Sequence, residues 1–486
     1  MRWKAKMLEL DASLRQWRSL RRWWRAAALV PLVATAVLAV SLRLDFLASV
    51  PALFVSELDG VADAQRLLVI APHCDDETIA CGGLIQLVKE RGGQVRVVLV
   101  TNGDGSFTGT VVEFRKLYPR VEDYFRSGER RQEEALRALG LLGLNEGDVV
   151  FLSYPDQGIA PLWKTWWDSS NPYRSPYTQR TQSPYARTYS AEAVYSGQSL
   201  LADLWAIVRD FQPDVVLAPD PADTHRDHWA SGAFAALATM TAGIEPRPRL
   251  LTYLVHWLEY PQPRGSLPFV PLLPPLRLVA DTAVWGTVPL PGEMVEVKAQ
   301  AVEAYSSQLP LLGGFLRSFV RQNELYCQRQ VGQVLRLAED QAVTPMAAAW
   351  RTADGQDVRP LFEDPAGDSM GQRVEPGGDF VALYVAQSQS ELWVAARLRG
   401  GSSRALEYSA YCLGFNGAEV SHGRVRFPRQ VRRRAASDAE GEYVLARFSL
   451  GELGFPSWVM VHFEAAFPGG PVSDRVGWAI AELGMR

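Results

Sequence analysis

Histidine and cysteine are both scarce in this chain of 486 residues, with six of the first and four of the second. Cys74, Cys81, Cys327 and Cys412 form no CxxC pair, so no small disulfide framework is in view and cysteine usage leaves the redox compartment open. Charge of neither sign is in excess. Fifty Lys and Arg stand against 54 Asp and Glu, a formal net charge of −4, which gives nucleic acid no claim as the main partner. With 47% hydrophobic and only 21% charged residues, global disorder is excluded and two or three compact units are expected for this length.

A one-sided run of charge opens the N-terminus. In residues 1–25, Arg2, Lys4, Lys6, Arg15, Arg18, Arg21, Arg22 and Arg25 face only Glu9 and Asp11. Residues 26–42 then carry no charge; at 1.5 Å per residue that run reaches roughly 25 Å, the low end for a bilayer span. Trp23 and Trp24 stand where an interfacial belt would be, and Arg43 can snorkel. The expectation is a basic cytoplasmic segment over 1–25, one transmembrane anchor over 26–45, and everything beyond on the extracytoplasmic side. The rival is a cleaved signal peptide, although its n-region would be long and no clean cleavage site stands out.

From residue 64 the pattern alternates. Leu67–Ala71, Val95–Thr101, Val149–Ser153 and Asp214–Ala218 are short apolar runs of the kind buried parallel strands show. Helical patterns fill 78–91, 127–142, 198–211 and the stretch from Trp229. The expected fold is a Rossmann-like doubly wound α/β domain with a mostly parallel sheet, which places ligands at the carboxyl ends of its strands.

Two motifs sit at such ends. Pro72-His73-Cys74-Asp75-Asp76-Glu77 follows the first strand, and Asp220-Pro221-Ala222-Asp223-Thr224-His225-Arg226-Asp227-His228 follows the fourth. Three of the six histidines fall in these two loops. Imidazole with carboxylate suits zinc or a similar divalent ion, and an open coordination position leaves room for water. A further carboxylate beside the ligands can take that water's proton. Each motif alone reads equally as a helix cap with acidic first-turn residues. Both together, at strand ends of one domain, point to metal.

The stretch His73-Cys74-Asp75-Asp76-Glu77 with Gly82-Gly83, then His225-Arg226-Asp227-His228, resembles the PIG-L/LmbE-type de-N-acetylases. Arg131 and Glu134, Tyr154-Pro155-Asp156, and Lys298 to Ser307-Gln308 resemble further pieces of that family, so the likeness covers roughly residues 65–330. The resemblance implies that His73, Asp76 and His228 bind the metal, zinc first and iron second. It implies Asp75 as the base that activates water. It makes His225 the group that stabilises the oxyanion or protonates the leaving amine, with Asp227 orienting His225. Cys74 replaces the proline usual after the motif histidine.

Residues 160–200 form an insertion rich in Pro, Tyr and Trp, including Trp163, Trp166, Trp167, Tyr173, Tyr177, Tyr185, Tyr189 and Tyr195. The rings either stack on sugar or pack the loop onto the body. Arg174, Arg180 and Arg187 either meet an anionic group or are solvated, and His256 is either a substrate contact or a core histidine. After a linker at 331–345, strand-length apolar runs at 380–386, 392–398, 406–413 and 458–463 predict an antiparallel β-sandwich over 346–486. His422 and His462 are isolated there, and Arg429 and Arg432–Arg434 read as a solvated loop.

The expected function is metal-dependent removal of the acetyl group from an N-acetylhexosamine in a glycolipid, lipid-linked intermediate or envelope polysaccharide. The alternatives are an amidase on a different small amide and a non-catalytic glycan-binding envelope protein. Asp75 and Asp76 standing together with His225 and His228 speak against the last.

Overall fold

The computed structural model describes residues 55–258, 260–279, 282–329, 334–337, 359–368, 376–417, 419–427, 443–470 and 472–484. Residues 56–486 form one compact unit. The basic segment 1–25, the stretch 26–45 and the arginines at 429 and 432–434 lie outside the described residues.

Strands β1 (Arg66–Ala71), β2 (Gln94–Thr101), β3 (Val149–Tyr154), β4 (Val215–Pro219) and β5 (Arg249–Tyr253) are mutually parallel in the order β3-β2-β1-β4-β5. Leu67 to Ala71 and all of β4 are buried, as runs covered on both sheet faces must be. The crossovers run through α1 (Asp76–Glu90), α3 (Val121–Leu141), α5 (Gly197–Phe211) and α6 (Arg226–Thr241); shorter helices α2 (Phe107–Phe114) and α4 (Ile159–Lys164) lie between. The chain winds outward from β1 in one direction and from β4 in the other. The crevice between the carboxyl ends of these two strands is the topological switch point, where such sheets hold their ligands.

The sheet is mixed rather than continued in parallel. β7 (Asn323–Arg329) pairs antiparallel with β5 through Thr252 and Cys327, and β6 (Ala283–Pro289) pairs antiparallel with β7. Six prolines between Pro261 and Pro275 deny that segment a crossover helix, so regular winding stops after β5. Helices α7 (Gly292–Glu303) and α8 (Leu309–Leu316) join β6 to β7.

A second correction concerns the membrane. Among the described residues no helix is long and apolar enough to cross a bilayer. Helix α3 has 21 residues but carries Glu122, Glu129, Arg130, Glu133 and Arg137. Helix α6 is apolar but has 16 residues, roughly 24 Å, and its length is spent inside the protein. The expected single-pass anchor thus finds no support among the described residues, outside which its own stretch 26–45 lies, and the extracytoplasmic placement built on it loses its ground.

The C-terminal part, from residue 335 on, forms two sheets. One has the order β14-β11-β10-β8 with β9 against β10; the other is β13-β12-β15-β16. Their strands are β8 (Leu335–Arg336), β9 (Phe362–Glu363), β10 (Phe380–Gln387), β11 (Glu391–Leu398), β12 (Glu407–Asn416), β13 (Glu419–Phe427), β14 (Tyr443–Ser449), β15 (Trp458–Ala466) and β16 (Val472–Glu482). All pairings are antiparallel except β10 with β8. Phe380 of the first sheet meets Tyr408 and Phe463 of the second at ring distances of 6.4 and 6.1 Å.

Helix α6 is buried from Asp227 through Thr239. Inward, a Cβ on Gly232 would stand 2.3 Å from the Pro219 carbonyl oxygen, so helix and strand touch backbone to backbone. Outward, Trp229 and Phe234 share a core cluster with Trp163 of α4 and with Leu413, Met460 and Trp478 of the second C-terminal sheet. The Trp478 indole N–H donates to the Trp229 carbonyl at 3.2 Å. Lys164 pairs with Glu464, which also accepts from Arg475 Nε at 2.9 Å. Burial pushes the Glu464 carboxyl up, but Lys164 and Arg475 outweigh it and hold the group well below the usual range.

Two outcomes test this packing. Glu464→Gln leaves Lys164 and Arg475 without their carboxylate and should lower stability by about 3 kcal/mol in denaturant unfolding. Because the folded carboxyl is depressed, its contribution is full above the unfolded value near about 4.3 and is lost as pH falls through the folded value. The variant should therefore be flatter than wild type on the acid side. Gly232→Ala should cost about 1–3 kcal/mol by pushing α6 off β4; an unchanged unfolding midpoint would show that the helix can shift freely.

Candidate active site

Both motif loops end at helix starts. The Thr101 amide donates to the Pro72 carbonyl at 2.9 Å, fixing the first loop to β2. Asp75 then precedes α1 with φ of 148°, a strained value for an aspartate. His225 caps α6, its Nδ1 accepting from the Asp227 amide at 3.3 Å. The acidic groups thus gather where helix dipoles favour negative charge.

Three side-chain atoms converge. His73 Nδ1 lies 3.1 Å from Asp76 Oδ2 and 3.2 Å from His228 Nε2, and His228 Nε2 lies 3.1 Å from the same Asp76 oxygen. Donors of a tetrahedral centre with bonds of about 2.0–2.1 Å stand about 3.3 Å apart, so this triangle has the span of three ligands sharing one ion. The other nitrogen of each imidazole is held by a carboxylate. Asp223 Oδ2 meets His228 Nδ1 at 3.1 Å, and Asp156 Oδ1 meets His73 Nε2 at 3.3 Å. Such outer carboxylates fix which nitrogen is free to coordinate.

The titratable groups around the triangle act strongly on one another. Burial lowers the His73 and His228 pKa values, but the carboxylates around them win: His73 is raised well above its ordinary value and His228 to about 9. Burial raises Asp76, but His228 and His73 hold it well below the usual range. The carboxylates here thus draw positive charge onto the two imidazoles. A divalent ion would supply that charge, so the donor set fits a metal of the zinc type.

Asp75 stands beside the triangle. It is buried, and its Oδ2 accepts from Arg131 Nη2 at 3.3 Å. Burial lifts its pKa to about 7 against the pull of Arg131. The same guanidinium donates to the carbonyls of Cys74 and Gly103 at 2.9 and 3.2 Å. Cys74 is fully buried with Sγ 3.9 Å from the Thr101 carbonyl, a packing position. Glu77 accepts from the Asp75 amide at 3.0 Å and from the Tyr305 hydroxyl.

His225 faces the triangle from outside, its ring centroid 4.8 Å from that of His73 and 5.0 Å from that of His228. Burial, then the neighbouring His73 and His228, lower its pKa well below the ordinary value. The Asp227 carboxylate does not reach the His225 ring. It accepts from the Gln157 and Ile159 amides at 2.5 and 3.1 Å and lies 3.7 Å from His73 Nε2. Asp227 touches His225 through its backbone amide instead.

The aromatic insertion divides. Trp163 is wholly buried and Trp167 stacks on His422 and Phe234, so these rings join the body to the C-terminal sheet. Tyr173 and Tyr177 are half-buried, Tyr173 edge-on to Trp166 at 5.1 Å and Tyr177 tilted on Tyr124 at 5.3 Å. Tyr185 donates to Asp104 at 2.6 Å. Arg187 pairs with exposed Glu146 at 3.1 Å, and Arg174 and Arg180 are exposed. His256 lies 4.6 Å from the His228 ring and stacks on Phe315 at 5.4 Å. Asp156 and Asp223 had been quoted within the motifs without a role; their signal was the strand-end position each occupies.

Residues 68–239 match the family model described as PIG-L: GlcNAc-PI de-N-acetylase. The 1D-myo-inositol 2-acetamido-2-deoxy-alpha-D-glucopyranoside deacetylase of Mycobacterium sp. (strain KMS) is 33% identical over 165 residues, 34% of this chain and 46% of that protein. Diacetylchitobiose deacetylase of Thermococcus kodakarensis is 25% identical over 251 residues, 51% of this chain and 72% of its own. 2'-N-acetylparomamine deacetylase of Streptomyces fradiae is 30% identical over 163 residues, 34% of this chain and 48% of its own. The chain spans about half the length of the first of these relatives, 46%. Both motif loops fall inside the matched stretch, and residues 68–239 are a PIG-L family domain.

Proposed function

We propose that the chain is a metal-dependent N-deacetylase that hydrolyses the acetamide of an N-acetylhexosamine to acetate and a free amine. The observation that carries this reading is the triangle of His73 Nδ1, Asp76 Oδ2 and His228 Nε2, 3.1 to 3.2 Å on a side, with a buried carboxylate beside it. Relatives that act on acetylated amino sugars support the choice of substrate.

His73, Asp76 and His228 would hold the ion. When bound, a zinc-type ion supplies a Lewis acid for the acetyl carbonyl and makes water a better nucleophile at neutral pH. Asp75 takes the proton of the attacking water, Arg131 fixing its carboxylate in place. His225 accepts at Nδ1 from the Asp227 amide, so its proton sits on Nε2, where a neutral imidazole can donate to the developing oxyanion. Asp75 then passes its proton to the leaving nitrogen as the C–N bond breaks. Asp156 and Asp223 hold the two ligand rings in orientation. Tyr173 and Tyr177 offer ring faces to the sugar.

Acetate release by the full chain from a panel of N-acetylhexosamine glycosides, with and without chelator, is the direct test. Chelator-sensitive release is expected. Stoichiometric metal with no acetate from any sugar would transfer the site to a different amide or to binding alone. Asp75→Asn should retain metal and lose about 10²–10⁴-fold in turnover; near-normal turnover would remove Asp75 as the base. His228→Ala should lose the metal, as elemental analysis would show, and full occupancy would break the ligand assignment.

A further inference from the structure

A second group of carboxylates lies in the C-terminal sheets, and none of its members belongs to the candidate active site. Asp364 directly follows β9, Asp368 lies four residues on in the same loop, and Asp474 is the third residue of β16. One oxygen from each falls within 4.8 Å of the other two. Asp364 and Asp474 are only 8% and 9% exposed.

Proximity of acids alone would mean little. Asp364 Oδ2 and Asp368 Oδ1, however, are buried oxygens with no hydrogen-bond partner. An orphaned carboxylate oxygen in the interior is costly unless something unseen satisfies it. The cations nearby are committed elsewhere. Arg329, which faces Asp364, is bound to Asp220 through Nη2 at 2.5 Å and Nε at 3.2 Å. Arg399 is bound to Asp379 at 2.6 Å. Arg277 acts on Asp368 from an exposed position. Burial and mutual repulsion push Asp364 and Asp474 well above the ordinary carboxylate range and Asp368 to about 7. A proton on the orphaned oxygens would need an acceptor, and neither oxygen has a partner.

We propose that Asp364, Asp368 and Asp474 form a calcium site that clamps the two C-terminal sheets together. The donor set is all oxygen, with no imidazole or thiolate, which selects a hard cation. Asp368 is half-buried, leaving room for water to complete a shell of six to eight oxygens. The ligands come from a loop and one strand, and the looser geometry of calcium suits this better than the near-ideal octahedron magnesium demands. The ion would join β9, in the first sheet, to β16, in the second. Asp474 already accepts from the Phe380 amide of β10 at 2.8 Å, so a third strand is drawn in. Phe362 of β9 lies 4.8 Å beneath Arg329, whose partner Asp220 opens the loop carrying His225 and His228.

The full chain, stripped with chelator and reloaded with one equivalent of zinc, is titrated with calcium by calorimetry and followed in thermal unfolding. One equivalent of calcium should bind, and at a hundredfold excess over its dissociation constant the unfolding midpoint should move up by about 5 °C. Magnesium at the same concentration should do much less. The Asp364→Asn/Asp368→Asn double variant should unfold no lower than calcium-free wild type and show no calcium response. Absence of calcium binding in wild type, an equal magnesium response, or a calcium response that survives the double variant each overturn the site. Should the double variant fail to fold, His228→Ala decides: it must keep its calcium equivalent, and loss of calcium there would place the ion in the catalytic centre.

Discussion

Helix Arg226–Thr241 has no solvent face, and much of the architecture answers to that. A helix apolar all round cannot be satisfied by one sheet; it needs a layer on each side. Inside lies β4, with Gly232 against the Pro219 carbonyl. Outside lies the second C-terminal sheet, which brings Leu413, Met460 and Trp478 to Trp229 and Phe234. The N-terminus of the same helix carries His228 and is capped by His225. Packing energy is therefore turned into positional accuracy for His228, and a site held by rigid elements is more precise than one held by loops.

The second constraint is charge. His73, Asp76, Asp156, Asp223, Asp227 and His228 are all at least nine-tenths buried. Helix starts, backbone amides and reciprocal pairing make this tolerable. Asp223 accepts from the amides of His225 and His256 as well as from His228, and Asp227 from two amides of the loop after β3. Asp223 and Asp227 are thus paired with backbone amides, while Asp76 meets both imidazoles of the triangle. The oxygens of Asp364 and Asp368 lack even that degree of pairing.

The four central strands were legible because a strand buried on both faces reads as a continuous apolar run. The two motifs were legible because histidine is rare in this chain and strand ends are where such folds bind. Other features lacked a local signal. Strand β13, Glu419–Phe427, interleaves Arg424 and Arg426 with apolar residues, and β16 holds Asp474 and Arg475; their pairing is decided by partners distant in sequence. Asp227 was expected to orient His225; it touches that ring through its backbone amide, and nothing in the sequence told that the Gln157 and Ile159 amides would claim its carboxylate. His422 and His462, isolated in sequence, are brought onto Trp167 and between Trp229 and Tyr411. The expected membrane anchor rested on apolar length and flanking charge alone, and length without packing context is a weak signal.

The family match stops at residue 239, near the end of the buried helix, yet the helix is not covered by the matched stretch alone. Trp229 shows what the added sheet does. Its ring lies 4.5 Å from that of His462, beneath the cations of Lys164 and Arg475 at 5.6 and 4.7 Å, and its carbonyl accepts from Trp478. Trp229 immediately follows His228 in sequence, so the position proposed to bind metal adjoins the interface between the layers. Removing the sheet would expose a continuous apolar strip of tryptophan, phenylalanine and alanine and leave Lys164 without Glu464. The C-terminal part therefore enters the chemistry through the helix it covers: it needs no contact with substrate to set where His228 stands.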